Sequence, residues 1–229
     1  VATVGFLHTA HAHVRTFSDL LRERDATVAE RHLVDTGLLA AAREHGADAV
    51  RGAVGDRLRR LVAEGADVVV CTCSTLAPVA KAVGAEQGLR VVRVDRPMAE
   101  AAVLAGRRIA VVASLDEAAA TLMPLLHECA RTTGRAVEFV EVRCTDTWSA
   151  FESGDLLTYA AGVAAAVRRA VLPLDPPVDV VVLAQASMAE VAPLLRDLSV
   201  PVLTSPRLAV EAAVELVEPV GVRGSAGRR

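Results

Sequence analysis

Short valine-rich runs alternate along the chain with stretches rich in alanine, leucine and arginine, in which apolar residues recur three and four positions apart. Near-continuous apolar runs suit strands buried on both faces, and longer amphipathic stretches suit the helices that cover them. The pattern therefore predicts an α/β fold on parallel sheets. Strands are predicted at 3–7, 27–33, 67–71, 90–94, 108–113, 136–142, 178–184 and 201–203, with amphipathic helices such as 49–64 and 156–170 between them. The proline cluster 173–177 separates a helix from the next strand, and the glycine- and arginine-rich end, 221–229, is expected to fray.

The chain repeats itself. DVVVCTCSTLAPVA, from Asp67, lies over DVVVLAQASMAEVA, from Asp179, without a gap, and TVGFLHT from Thr3 resembles RIAVVAS from Arg108. VDRPMAEAA from Val94 lies near LTSPRLAVEAA from Leu203, pairing Pro97 with Pro206. Three blocks in one order at nearly constant spacing predict two similar flavodoxin-like lobes related by a pseudo-twofold axis. The expected lobes are 1–96 and 97–206, with 207–229 packing back on the first. In open parallel sheets ligands bind beyond the carboxyl ends of the strands, so the paired strand ends are expected to line one cleft. They would contribute His8, Thr9, Cys73, Ser74, Thr75, Asp95 and Arg96 from one lobe, and Ser114, Gln185, Ala186, Ser187, Ser205 and Arg207 from the other. Hydroxyl side chains beside helix N-termini suit a carboxylate, so a small carboxylate is the expected partner.

Composition narrows the function classes. The 229 residues are 52% hydrophobic and 23% charged, with a net charge of -3, as in a globular protein with a real core and no basic surface for nucleic acid. No apolar run approaches the roughly 18 residues that cross a bilayer. The opening VATVGFLHTAHAH lacks a basic n-region and cleavage site, so the expected location is cytoplasmic, with Cys71, Cys73, Cys129 and Cys144 reduced.

Cys73 is the leading chemical candidate. CTCST follows a buried-strand pattern and opens a helical segment, a setting that favours the thiolate as nucleophile or proton-transfer base. Cys71, Cys129 and Cys144 read as structural, although Cys144 follows a strand closely enough to approach the cleft. His8 ends the first strand and could polarise the Cys73 thiol, donate to a carboxylate, or simply bond backbone. His8, His11 and His13 lack the spacing of metal ligands on one helix face, and no metal is expected. Arg96 and Arg207 could clamp a carboxylate bidentately, or Asp95 and Arg96 could pair with each other. Trp148 and Phe151 could act as a lid or belong to the core. No GxxxxGK[ST] occurs, so a nucleotide reading finds no support.

VVVCTCSTL, then RVDRPMAEAAVLAGRRIAVVAS, then DVVVLAQASMAEVAPLL with VPVLTSP, resembles the aspartate/glutamate racemase superfamily over nearly the whole chain. That superfamily also contains hydantoin racemases, maleate isomerases and arylmalonate decarboxylases. The resemblance implies a cofactor-independent enzyme and a homodimer or larger homo-oligomer. In the family, a Cys-Asn-Thr motif ends a strand of the first lobe and a Cys-Thr motif ends the matching strand of the second. The two thiols work on opposite faces of the substrate α-carbon. Cys73, Ser74 and Thr75 match the first motif, with serine in place of asparagine. The second motif departs: by the ungapped internal match the counterpart of Cys73 is Gln185, and an amide neither takes up nor delivers a proton near neutral pH. Either His8, His32 or Cys144 supplies a second proton, or one thiol works alone. A racemase or isomerase, a single-cysteine decarboxylase or lyase, a cysteine hydrolase using His8, and a carboxylate-binding protein without turnover all stay open at this point.

Overall fold

The structure, a computed structural model, describes residues 1–217; the predicted fraying of 221–229 lies outside them. The chain divides into two compact units, Val1–Arg93 with the segment from Ala209, and Val94–Leu208.

In the first unit, strands β1 (Thr3–His8), β2 (Ala29–Val34), β3 (Val68–Cys71) and β4 (Val91–Arg93) form a wholly parallel sheet in the order β2-β1-β3-β4. β1 and β3 are buried along their whole length, as central strands covered on both faces must be, and this is why they read as unbroken apolar runs. β2 sits at an edge and carries Glu30, Arg31 and His32. Helices α1 (Ala12–Arg24), α2 (Gly37–His45), α3 (Arg51–Ala63) and α4 (Ala77–Glu86) connect the strands. Leu7, Val69 and Cys71 pack with Leu58, Leu61, Leu76, Ala80 and Val83 in one apolar core.

The second unit repeats the plan. β5 (Arg108–Ala113), β6 (Glu138–Arg143), β7 (Val180–Leu183) and β8 (Val202–Thr204) are parallel in the order β6-β5-β7-β8. They are joined with α5 (Arg96–Ala105), α6 (Asp116–Thr133), α7 (Trp148–Glu152) and α8 (Leu156–Val171), and α9 (Ser205–Val217) follows β8. Alternate residues of β5 and β7 feed two cores on opposite sheet faces: Ala110, Val112, Val181 and Leu183 on one, Ile109, Val111, Val180 and Val182 on the other. All eight predicted strands are present, with ends that differ from the predicted ones by at most two residues.

The repetition extends to side chains. Asp67, just before β3, accepts the backbone N-H of Thr3 at 2.9 Å through Oδ2. Asp179, just before β7, accepts those of Arg107 and Arg108 at 2.6 and 2.8 Å, bonds that hold its carboxyl below the usual range. Gly106 makes room for this clamp, since a Cβ there would stand 2.1 Å from the Asp179 Cβ. The units differ after their third strand. Where the first has α4, the second has a 3-10 helix, Ala186–Leu195, containing Pro193, which has no N-H for an α-helical bond.

Candidate active site

The strand ends of the first unit carry sulfur. β3 stops at Cys71, and the Thr72 N-H extends the ladder by one bond to the Leu7 carbonyl (3.0 Å) before the chain turns. The Cys73 carbonyl then accepts the N-H groups of Leu76 (3.1 Å) and Ala77 (2.9 Å), which starts the helical path into α4. Ser74 and Thr75 therefore lie in a first helical turn, whose N-H groups have no intrahelical acceptor and attract negative charge. Cys73 is half-buried, and its Sγ has no hydrogen-bond partner among the described residues. Cys71 is different: it is fully buried in the core, and its thiol points to the Cys73 carbonyl at 3.7 Å. Thr9 follows β1 and is partly exposed.

His8 does not serve the thiol. β1 runs one residue further than predicted, so His8 shares the strand face of Val4 and Phe6, and its side chain is fully buried. Nδ1 lies 3.0 Å from Thr72 Oγ1, and Nε2 lies 2.8 Å from Nδ1 of His32. The Thr72 hydroxyl lies a further 3.1 Å from the Leu7 carbonyl. The imidazole stacks on Phe6 and His32 and meets the edge of Phe17. Burial, with smaller contributions from His32 and His13, pushes its pKa down to about 3, so it stays neutral at ordinary pH. Both ring nitrogens are thus engaged away from Cys73, and the expectation that His8 polarises that thiol is corrected. His32 completes the pair, its Nε2 at 3.2 Å from Ser18 Oγ and 3.3 Å from Glu30 Oε2. The parallel register sets Phe6 beside His32, which makes His8 its diagonal neighbour on the same face. No group of His, Cys, Asp and Glu among the described residues could hold a metal ion.

The strand ends of the second unit carry an amide and hydroxyls. Gln185 holds the place after β7 that Cys73 holds after β3. Its Oε1 accepts the Ser114 N-H at 2.7 Å, the Leu115 N-H at 3.2 Å and the Ser114 hydroxyl at 3.0 Å. Two backbone donors converging on one atom require it to be the oxygen, which fixes the amide orientation, and Nε2 has no hydrogen-bond partner among the described residues. Ser114 is buried, Ala186 and Ser187 are partly exposed at the start of the 3-10 helix, and Ser205 is buried at the start of α9. Tyr159, on α8, sets its hydroxyl 3.1 Å from Ser114 Oγ and 3.1 Å from Ser187 Oγ. The sequence offered no sign of this, because Tyr159 falls in the apolar stripe of α8 with Val163 and Val167 and reads as core.

Asp95 and Arg96 follow β4, Cys144 follows β6 and Arg207 follows β8. Arg96 begins α5, and its guanidinium binds Glu128 at 2.7 Å and Glu100 at 3.4 Å, so it is a structural ion pair and no free carboxylate clamp. Asp95 is buried and already engaged, and Arg207 is exposed on the first turn of α9. Cys144 is buried, and its thiol donates to the Ala113 carbonyl at 3.3 Å. Burial pushes its pKa up to about 11, so the group stays a thiol at ordinary pH. Trp148 and Phe151, on α7, are partly buried and pack against Tyr159 and the core.

A family model described as Asp/Glu/Hydantoin racemase matches residues 4–213. Among solved structures, the chain resembles an allantoin racemase from Klebsiella pneumoniae at 19% identity and a TM-score of 0.67, covering 95% of this chain and 88% of that one. A Picrophilus torridus aspartate racemase matches at 13% identity and a TM-score of 0.66, covering 94% of each chain. A variant of arylmalonate decarboxylase in a sulfate-associated form matches at 22% identity and a TM-score of 0.64, covering 100% and 96%. No curated protein matches the sequence. At these identities the structural likeness shows a shared two-lobed α/β fold.

Proposed function

Because the chain belongs to the Asp/Glu/hydantoin racemase family, we propose that it is a cofactor-independent enzyme that acts at the α-carbon of a small carboxylic acid through Cys73. One observation supports this reading: Cys73, two residues past the end of β3, is half-buried with no hydrogen-bond partner for its sulfur among the described residues, while the matching place in the second unit holds an amide of fixed orientation. In the first unit Thr9, Ser74 and Thr75, and in the second unit Ser114, Gln185, Ala186 and Ser187, are the groups proposed for carboxylate and enolate oxygens, whose charge preorganised donors stabilise. Two-thiol racemisation has no second thiol to use. His8 and Cys144 are engaged in their own hydrogen bonds, which favours one-sided chemistry: Cys73 delivers or removes a proton on a single face, or adds to an unsaturated or carbonyl carbon. A decarboxylase or lyase of the same family fits this as well as an isomerase does.

Incubating dicarboxylates and α-substituted acids with the protein in deuterated water tests the reading, with α-deuterium incorporation as the expected result. Binding without exchange would instead indicate a receptor that has lost turnover, the alternative that the absent second cysteine motivates. Thiol alkylation read by mass spectrometry should label Cys73 well ahead of buried Cys71, Cys129 and Cys144, and equal rates would overturn its assignment.

Gln185→Glu separates the two ends of that amide. A glutamate oxygen still accepts the two backbone N-H groups, so folding is expected to hold, while the outward donor becomes an anionic acceptor. A carboxylate substrate should then bind at least about tenfold more weakly, from like-charge repulsion and the lost hydrogen bond. An unchanged KM would remove Gln185 from the site.

A further inference from the structure

Tyr159 has no task in the reading above, yet its hydroxyl joins the two serines of the second unit's strand ends. Its ring is held by packing alone, 5.1 Å from Phe151 and 6.3 Å from Trp148 between centroids. A phenol has one proton and cannot donate to Ser114 and Ser187 at once, so the network has a direction. In one direction Ser187 donates to Tyr159, Tyr159 to Ser114, and Ser114 to Gln185 Oε1. Ser187 then offers a ligand only lone pairs. In the other, Ser114 donates to Tyr159 and Tyr159 to Ser187, which frees the Ser187 proton for a ligand. Gln185 Oε1 keeps its two backbone donors either way, so its orientation survives the reversal. The reversal needs three O-H rotations and no displacement of a heavy atom.

We propose that Tyr159 is a positioning residue that sets the proton direction of Ser187, so that an anionic oxygen meets a donor there. The inference rests on the reading of Gln185 and Ser187 as carboxylate-binding groups and deepens it: the second unit recognises anionic oxygen through an adjustable hydroxyl beside a fixed amide donor. Neutral ligands that themselves donate are accommodated by the opposite direction at the same heavy-atom positions.

Tyr159→Phe removes the hydroxyl and keeps the buried ring. Ser114 still bonds Gln185, so no buried group is orphaned. The test measures binding of malonate, succinate and glutarate by calorimetry to the wild type, Tyr159→Phe, Ser187→Ala and the double variant. Tyr159→Phe should weaken the best of these ligands about five- to tenfold, the effect of one hydrogen bond. In the Ser187→Ala background the same change should have almost no effect, because the two residues act as one device. A purely structural Tyr159 would lower affinity equally in both backgrounds, and that additivity would overturn the proposal, as would unaltered affinity in Tyr159→Phe. If the wild type binds none of the three acids, the carboxylate reading itself falls, and the proposal with it.

Discussion

Cys73→Ala is expected to lower α-proton exchange by at least about a thousandfold while leaving thermal stability nearly unchanged. Removing a general acid, base or nucleophile from a reacting centre typically costs two to four orders of magnitude or more, and no other sulfur replaces this one. Cys71 and Cys144 are buried with their thiols directed at backbone carbonyls, and Cys129 is buried in α6. Stability should hold because Cys73 is half-buried and its sulfur bonds nothing among the described residues, so truncation opens neither a deep cavity nor an unsatisfied polar group. Cys73→Ser should be nearly as inactive, since a hydroxyl at this position is a far weaker acid and nucleophile than a thiol. Proton NMR of the substrate in deuterated water gives the rate directly. Exchange within tenfold of wild type in either variant would mean that the chemistry lies elsewhere.

The second large effect is on stability in acid. His8 titrates near 6.5 when unfolded and is pushed down to about 3 in the fold. Above pH 6.5 both states are neutral there and the native state keeps its full stability. As pH falls below 6.5 the unfolded chain takes up a proton that the native chain refuses, so stability is lost progressively until about pH 3. Across that window the loss approaches about 5 kcal/mol, with about half of it reached near pH 4.5. Burial pulls His13 in the same direction and adds to the slope. Urea unfolding between pH 4 and 8 on wild type and His8→Gln measures it. The variant should start less stable at neutral pH, having lost the bonds to Thr72 and His32, and should then decline more gently in acid. Parallel curves would show that His8 takes a proton within the fold.

Strands, their parallel arrangement and the internal duplication were legible in the sequence because each depends on local pattern, and burial on both faces leaves a plain valine signature at β3 and β7. The partners of individual side chains were not, since those depend on which element packs alongside. His8 does end β1, but nothing in the sequence signalled that His32, on the neighbouring β2, would take one of its ring nitrogens and that the side chain would be fully buried. Arg96 carried a visible hint in Glu100, four residues on, but its stronger partner is Glu128, on the adjacent α6. Tyr159 was hidden by its own apolar ring, whose hydroxyl acquires meaning only where α8 meets Ser114 and Ser187.

The aspartate clamps of Asp67 and Asp179 stand where β3 and β7 begin, at the opposite ends of these strands from Cys73 and Gln185. Each half thus rests on the same foundation while its far rim is free to vary. Exchanging sulfur for an amide at that rim leaves the footing untouched, so a scaffold of this kind can acquire new reactions without having to solve its folding problem again.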